Sequence, residues 1–126
     1  MNELIIKAFD FGIRLLELAN YLDEEKKYFP LIPRLLECGT GISVYLQVSD
    51  SFPKSMQENC MQSYKLTVET EYLLELMAKT GVINEIQSKP ILSDCRYIKE
   101  ETRKLLGKNR DKQQHKIPSD RFQGEQ

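Results

Sequence analysis

Apolar residues recur three and four positions apart from the start of the chain. Leu4, Ile5, Ala8, Phe9, Gly12, Leu15, Leu16, Ala19 and Leu22 draw one stripe, with Lys7, Asp10, Arg14 and Glu17 opposite. Because a helix turns once in ~3.6 residues, this pattern predicts an amphipathic helix over about residues 3–23. Asp23-Glu24-Glu25-Lys26-Lys27 offers no apolar face and reads as the helix end and a turn.

The next stretch carries two signals. Leu31, Ile32, Leu35, Leu36, Gly39, Ile42, Ser43 and Leu46 fit a helix over about residues 30–49, with Pro30 or Pro33 in its first turn. Gly39 and Gly41 oppose this, each costing about 1 kcal/mol relative to alanine in a helix interior. Ile42, Val44, Leu46 and Val48 also alternate with Ser43, Tyr45 and Gln47, the period of a strand. A single strand has nothing to pair with elsewhere in this chain, so helix is the better reading.

Ser51-Phe52-Pro53 is a break, with Ser51 placed to cap the next helix and Pro53 in its first turn. This third helix is expected over about residues 53–80. It carries a heptad-like seam of Cys60, Ser63, Thr67, Thr70, Leu74 and Met77. A second stripe, Met61, Tyr64, Val68 and Tyr72, lies on a different face and is the candidate oligomer interface, covered by another subunit. Gly81 suits the left-handed residue that ends this helix.

Asn84 and Gln87 stand in capping-box register for a fourth helix over about residues 84–106. Pro90 either kinks that helix early or shifts its start to near Ser88. Ile91, Leu92, Cys95, Ile98, Thr102, Leu105 and Leu106 hold the period until Gly107. Residues 108–126 contain almost nothing apolar and read as a polar, disordered tail. Four helices with short connections favour an all-α, up-down-up-down antiparallel four-helix bundle formed by residues 1–107.

Charge changes this picture at one end. From Arg103 onward, seven basic residues face Asp111, Asp120 and Glu125, a local +4 that leaves −5 on the rest of a chain of net −1. Arg103, Lys104, Lys108, Arg110, Lys112 and Lys116 are therefore the candidate nucleic-acid contacts. No apolar run approaches the ~20 residues that span a bilayer, and the N-terminus lacks the form of a signal peptide. A cytoplasmic protein without a membrane partner is expected.

The residues offer little chemistry. The only histidine, His115, lies in the tail, and no Glu-x-x-His exists, which removes a carboxylate-bridged di-metal site. No cysteine or serine has a positioned imidazole partner. Gly39-Thr40-Gly41 lacks the strand-loop-helix setting of a phosphate loop, and small residues there more often let a neighbouring helix approach. Cys38, Cys60 and Cys95 lack metal-ligand spacing and read as buried small hydrophobes. Glu71 and Glu75 share a face and repel unless a cation is near, which predicts a solvated face or a lysine or arginine of another subunit. No catalytic residue, metal, cofactor or small-molecule substrate is indicated.

Several short pieces, in order over about residues 3–106, carry a family resemblance. They are Ile6-Lys7-Ala8-Phe9, Tyr21-Leu22 with Glu24-Glu25-Lys26-Lys27, and Leu35-Leu36 leading to Gly39-Thr40-x-Ile42. Further on come Glu69-Thr70-Glu71-Tyr72-x-Leu74-Glu75-Leu76, Thr80-Gly81-x-Ile83 and Leu92-x-Asp94-Cys95. The chain resembles the four-helix bundle family named for proteins encoded in 23S ribosomal RNA intervening sequences, in the form common among Bacteroidetes. That family is similar in fold to the accessory variability determinant of diversity-generating retroelements, a pentameric ring that binds nucleic acid. The resemblance implies a homo-oligomer, a pentamer, with RNA or DNA as partner. This sequence departs from the family pattern at Tyr45, where asparagine is usual, near Val48, and at Glu37-Cys38. The alternative function is an oligomeric protein-interaction scaffold with no nucleic-acid role.

Overall fold

A computed structural model describes the backbone of residues 1–116 and the side-chain surroundings of residues 1–108. It is all-α, with four α-helices and no strand among the described residues. They are α1 (Asn2–Glu24), α2 (Ile32–Ser51), α3 (Met56–Lys79) and α4 (Glu85–Lys116), with a 3-10 turn at Pro53–Ser55 ahead of α3. Residues 42–48 are helical, and the alternation does not mark a strand: Ile42 and Leu46 are buried while Val44 is exposed, as on a helix. The helix backbones neighbour one another in pairs: α1 packs beside α2 and α4, and α3 beside α2 and α4, while α1 and α3 lie diagonally across the core.

The helix ends follow local chemistry. After α1, the Lys27 amide donates to the Leu22 carbonyl at 2.9 Å and the Lys26 amide to Asp23 at 3.1 Å, with Lys26 left-handed at φ 55°. After α3, Val82 donates to Met77 at 3.0 Å and Gly81 to Ala78 at 3.2 Å, with Gly81 at φ 82°. Both closures are Schellman motifs, and in the second, glycine takes the left-handed position as expected. The capping box forms: the Gln87 amide donates to Asn84 Oδ1 and the Asn84 amide to Gln87 Oε1, both at 2.9 Å.

Several expectations need correction. Ser51 does not cap α3; its hydroxyl donates back to the Gln47 carbonyl at 3.1 Å, so it closes α2 instead. Pro53 begins a 3-10 turn, and α3 starts only at Met56. Pro90 lies inside α4, five residues past its first. The Ile86 carbonyl that loses its donor there belongs to a residue on the open face, where solvent can replace the bond. The fourth helix also runs through Gly107 to Lys116 instead of ending there. Residues 117–126 of the expected tail lie outside the described residues.

The core contains Leu4, Ala8, Phe11, Leu15 and Leu22 of α1 and Leu35, Ile42 and Leu46 of α2. The seam of α3 faces it as expected, with Cys60, Ser63, Thr67, Thr70, Leu74 and Met77 all buried. Its polar groups are satisfied locally. The Thr67 and Thr70 hydroxyls donate to the Ser63 and Leu66 carbonyls at 2.7 Å, and Ser63 donates across to Ile42 at 3.1 Å. Phe29, in the α1–α2 connection, and Ile83, in the α3–α4 connection, are buried against the core.

Candidate functional site

The polar side chains along the bundle are used to hold helices together. Arg34 of α2 donates twice to Glu69 of α3, at 2.6 and 2.7 Å, and once to Glu37 at 2.8 Å. Those bonds, Glu69 first and Glu37 second, raise the Arg34 pKa, and the Arg34 bond lowers that of Glu69. Arg96 of α4 spans Glu71 at 2.7 Å and Glu75 at 2.8 Å, and Lys99 reaches Glu71 at 2.6 Å. Asp94 of α4 accepts from Arg14 at 2.6 Å and is ion-paired with Lys7 at 3.1 Å, tying α4 to α1. The cation expected beside Glu71 and Glu75 therefore comes from the chain itself, not from another subunit or from solvent.

The α1/α2 pair is held differently. Among the described residues it has no ion pair and relies on close contact. A Cβ at Gly39 would overlap Leu15 Cδ1 of α1, and one at Gly41 would stand 2.8 Å from Leu66 Cδ1 of α3. The glycines thus admit neighbouring helices, as their pattern suggests.

The three cysteines are buried and free. Burial above all, then the Glu71 charge, pushes the Cys95 thiol up to about 12. Burial, then Glu69, pushes Cys38 up to about 11. Cys60 is raised by burial, against a hydrogen bond with Ser49 at 3.1 Å. A thiol so far above neutral pH holds almost no thiolate, the reactive form. Under native conditions at pH 8, a thiol reagent should label none of the three at an appreciable rate; in urea all three should react. Rapid native labelling, read by mass, would contradict this burial.

Among the described residues, no group of three or more histidine, cysteine, aspartate or glutamate side chains could hold a metal ion. No helix there is long and apolar enough to cross a membrane.

The six candidate nucleic-acid contacts share one helix. Arg103 and Lys104 are exposed on α4, and each is paired within its own helix: Arg103 with Glu100 at 2.5 Å, Lys104 with Glu101 at 3.0 Å. Lys108 is exposed and makes no ion pair among the described residues. Arg110, Lys112 and Lys116 stand on the helical backbone of the last turns, with side chains outside the described residues. The continuation of α4 sets Lys104, Lys108, Lys112 and Lys116 four residues apart, a register that keeps neighbours on adjoining parts of one face.

Of the candidate interface residues, Met61, Val68 and Tyr72 are exposed in the single chain, Tyr72 at 59%, and Tyr64 is half-buried. A further apolar surface lies on α1, where the main periodicity does not reveal it. Phe9 and Leu16, expected on the inward stripe of α1, point outward at 63% and 48% exposure, beside Ile6 and Ile13. Phe11 takes the inward place, at 1%. The signal was present: Ile6, Phe9, Ile13 and Leu16 are spaced three, four and three apart, a second stripe interleaved with the first. With Val44 and Val48 of α2, Phe9, Ile13 and Leu16 line an open apolar groove of about 440 Å³, whose lining also includes the small residues Gly12, Thr40 and Ser43.

The fold and its surfaces define a class: a small all-α protein of four helices, with an open apolar groove and a basic end to its last helix. A solved neighbour narrows this. The chain is similar to a protein of unknown function from the S23 ribosomal protein family of Bacteroides thetaiotaomicron VPI-5482, with a TM-score of 0.77 and 25% identity. The match covers 82% of this chain and 97% of that one. No family model matches the sequence, and no curated protein does.

Proposed function

We propose that this chain is a non-enzymatic member of the ribosomal intervening-sequence family, a cytoplasmic homo-oligomer that binds RNA or DNA through the basic end of α4. The neighbour's family name and the motifs from Ile6 to Cys95 support the family reading together. An up-down-up-down course fits the short connections and the neighbour order, in which every helix packs on those adjacent in sequence and α1 closes on α4.

One observation carries the oligomer: the single chain leaves apolar stripes of both α1 and α3 open to water. Contiguous exposed apolar surface at helical spacing is the mark of an interaction site. The resemblance implies five copies. Sedimentation at micromolar concentration should give a mass several times 14.7 kDa; a monomer would overturn the reading.

Around an oligomer, each basic helix end is repeated, so weak sites act together. For one set of four phosphate contacts, affinity should fall about 50- to 150-fold between 50 and 200 mM salt, and more steeply where several arms engage one strand. Titration of labelled RNA and duplex DNA measures this. Replacing Lys108, Arg110, Lys112 and Lys116 together with glutamine should abolish binding while leaving the oligomer's mass unchanged. Absence of binding by the intact chain at 50 mM salt would favour the scaffold reading instead. That second reading has its own support, because Arg103 and Lys104 are already engaged by Glu100 and Glu101.

A further inference from the structure

We propose that the α1/α2 groove is a docking surface for a second copy of this chain and receives the outer face of that copy's α3, in a head-to-tail contact. The inference rests on the self-association proposed for this chain and names the two surfaces that make it.

Both surfaces have the geometry of helix-to-helix seams. Ile6, Phe9, Ile13 and Leu16 on α1 repeat at three, four and three residues, and the outer face of α3 repeats Met61, Lys65, Val68 and Tyr72 at four, three and four. Such spacing keeps one row of side chains facing a partner helix along several turns. The groove supplies holes as well as knobs: Gly12, Thr40 and Ser43 in its lining are small, and its space of about 440 Å³ accepts large side chains. On α3 the knobs are Tyr72, at 59% exposure, and Val68, at 43%.

Charge is complementary across the pair. Asp10 and Glu17, three before and four after Ile13, are exposed and make no ion pair among the described residues. Lys65, between Met61 and Val68, is exposed and likewise without an ion pair there. A lysine in the middle of one seam and two carboxylates beside the other disfavour each seam pairing with itself and favour pairing the two.

Position decides the symmetry. Since α1 and α3 lie diagonally across the bundle, with α2 and α4 between their backbones, their outer seams face different ways and one partner surface cannot satisfy both. The contact joins unlike patches, and unlike patches generate a closed ring or an open filament, not a two-fold dimer.

The test uses the full chain, with Ile13→Glu or Val44→Glu on the groove side and Val68→Glu on the α3 side. All three positions are exposed in the protomer, so each variant should keep the wild-type helix content; Val44→Glu stands in should Ile13→Glu lose it. Each single variant should sediment as a monomer, with association weakened at least about 100-fold, the effect of a charge desolvated in an apolar contact. Mixing a groove variant with Val68→Glu should then produce a dimer and nothing larger. In that pair one intact groove meets one intact α3 face, and the other two surfaces are both disabled.

Oligomers that survive both groove variants and Val68→Glu would overturn this docking assignment while leaving self-association standing. Single variants that dissociate but fail to form a dimer on mixing would overturn the head-to-tail arrangement. A wild-type chain that is itself monomeric would overturn self-association and this inference with it.

Discussion

Gly39→Val should lower the melting temperature by about 10 °C, the largest effect expected of a single substitution in this bundle. A Cβ at this position already overlaps Leu15 Cδ1 and falls 3.5 Å from Leu15 Cγ. Leu15 has no room to retreat, being fully buried in a core that also holds Phe11, Leu35 and Leu74. The cost is overpacking, about 3 kcal/mol at the upper end of the usual range, because α1 must move away from α2 or Leu15 must leave its rotamer. For a chain of this length, each kcal/mol shifts the midpoint by roughly 3–4 °C. Gly107→Ala is the control. Nothing lies within 4 Å of a Cβ there, so replacing a helical glycine should raise the midpoint, by up to about 1 kcal/mol in stability. A thermal scan by circular dichroism reads both. An unchanged Gly39→Val midpoint would mean that α1 and α2 are not in close contact at Leu15.

The second large effect is on the α3/α4 ion cluster. Glu71→Gln should cost about 2 kcal/mol at pH 7, in the range for hydrogen bonds to charged groups. The Glu71 side chain is only 14% exposed and accepts from Lys99 at 2.6 Å and Arg96 at 2.7 Å. An amide cannot neutralise those two cations. Burial pushes the Glu71 pKa up, but the bonds from Lys99 and Arg96 outweigh it, and the net direction is downward. The folded state therefore binds this proton less readily than the unfolded chain. The stabilisation is complete above the unfolded carboxylate value of about 4.3, and it is lost as pH falls through the lower folded value. Urea unfolding should show the full difference between wild type and variant at pH 7 and a narrowed one near pH 3. Glu75→Gln, at a side chain 42% exposed, should cost at most about 1 kcal/mol, because water screens the pair. Equal costs for the two variants, or a gap that widens in acid, would contradict this account of the cluster.

The neighbour in Bacteroides thetaiotaomicron extends the relation of sequence to fold. At 25% identity it shares the architecture over 97% of its own length. Most of the surface chemistry can differ between two such chains while the buried pattern persists. The basic register of α4 and the groove over Gly12 are properties of this chain's own residues, so substitutions in this chain, and not the neighbour's behaviour, decide what they do.

What the sequence determined alone was whatever depends on neighbours close along the chain. The capping box at Asn84 and Gln87, the left-handed Gly81 and the inward seam from Cys60 to Met77 all follow from local spacing, and all are present. So is the close approach admitted by Gly39 and Gly41, although the identity of the approaching residues, Leu15 and Leu66, was not legible. Tertiary packing decided the rest. Residues 42–48 could read as strand or helix, and packing on α1 and α3 goes with the helix. Glu71 and Glu75 needed a cation, and only folding could bring Arg96 and Lys99 from 21 to 28 residues away. On α1 two apolar stripes interleave, and periodicity cannot say which one turns inward. Packing of α1 on α2 and α4 made that choice, turning Phe11 and Leu15 into the core and leaving Phe9 and Leu16 facing water.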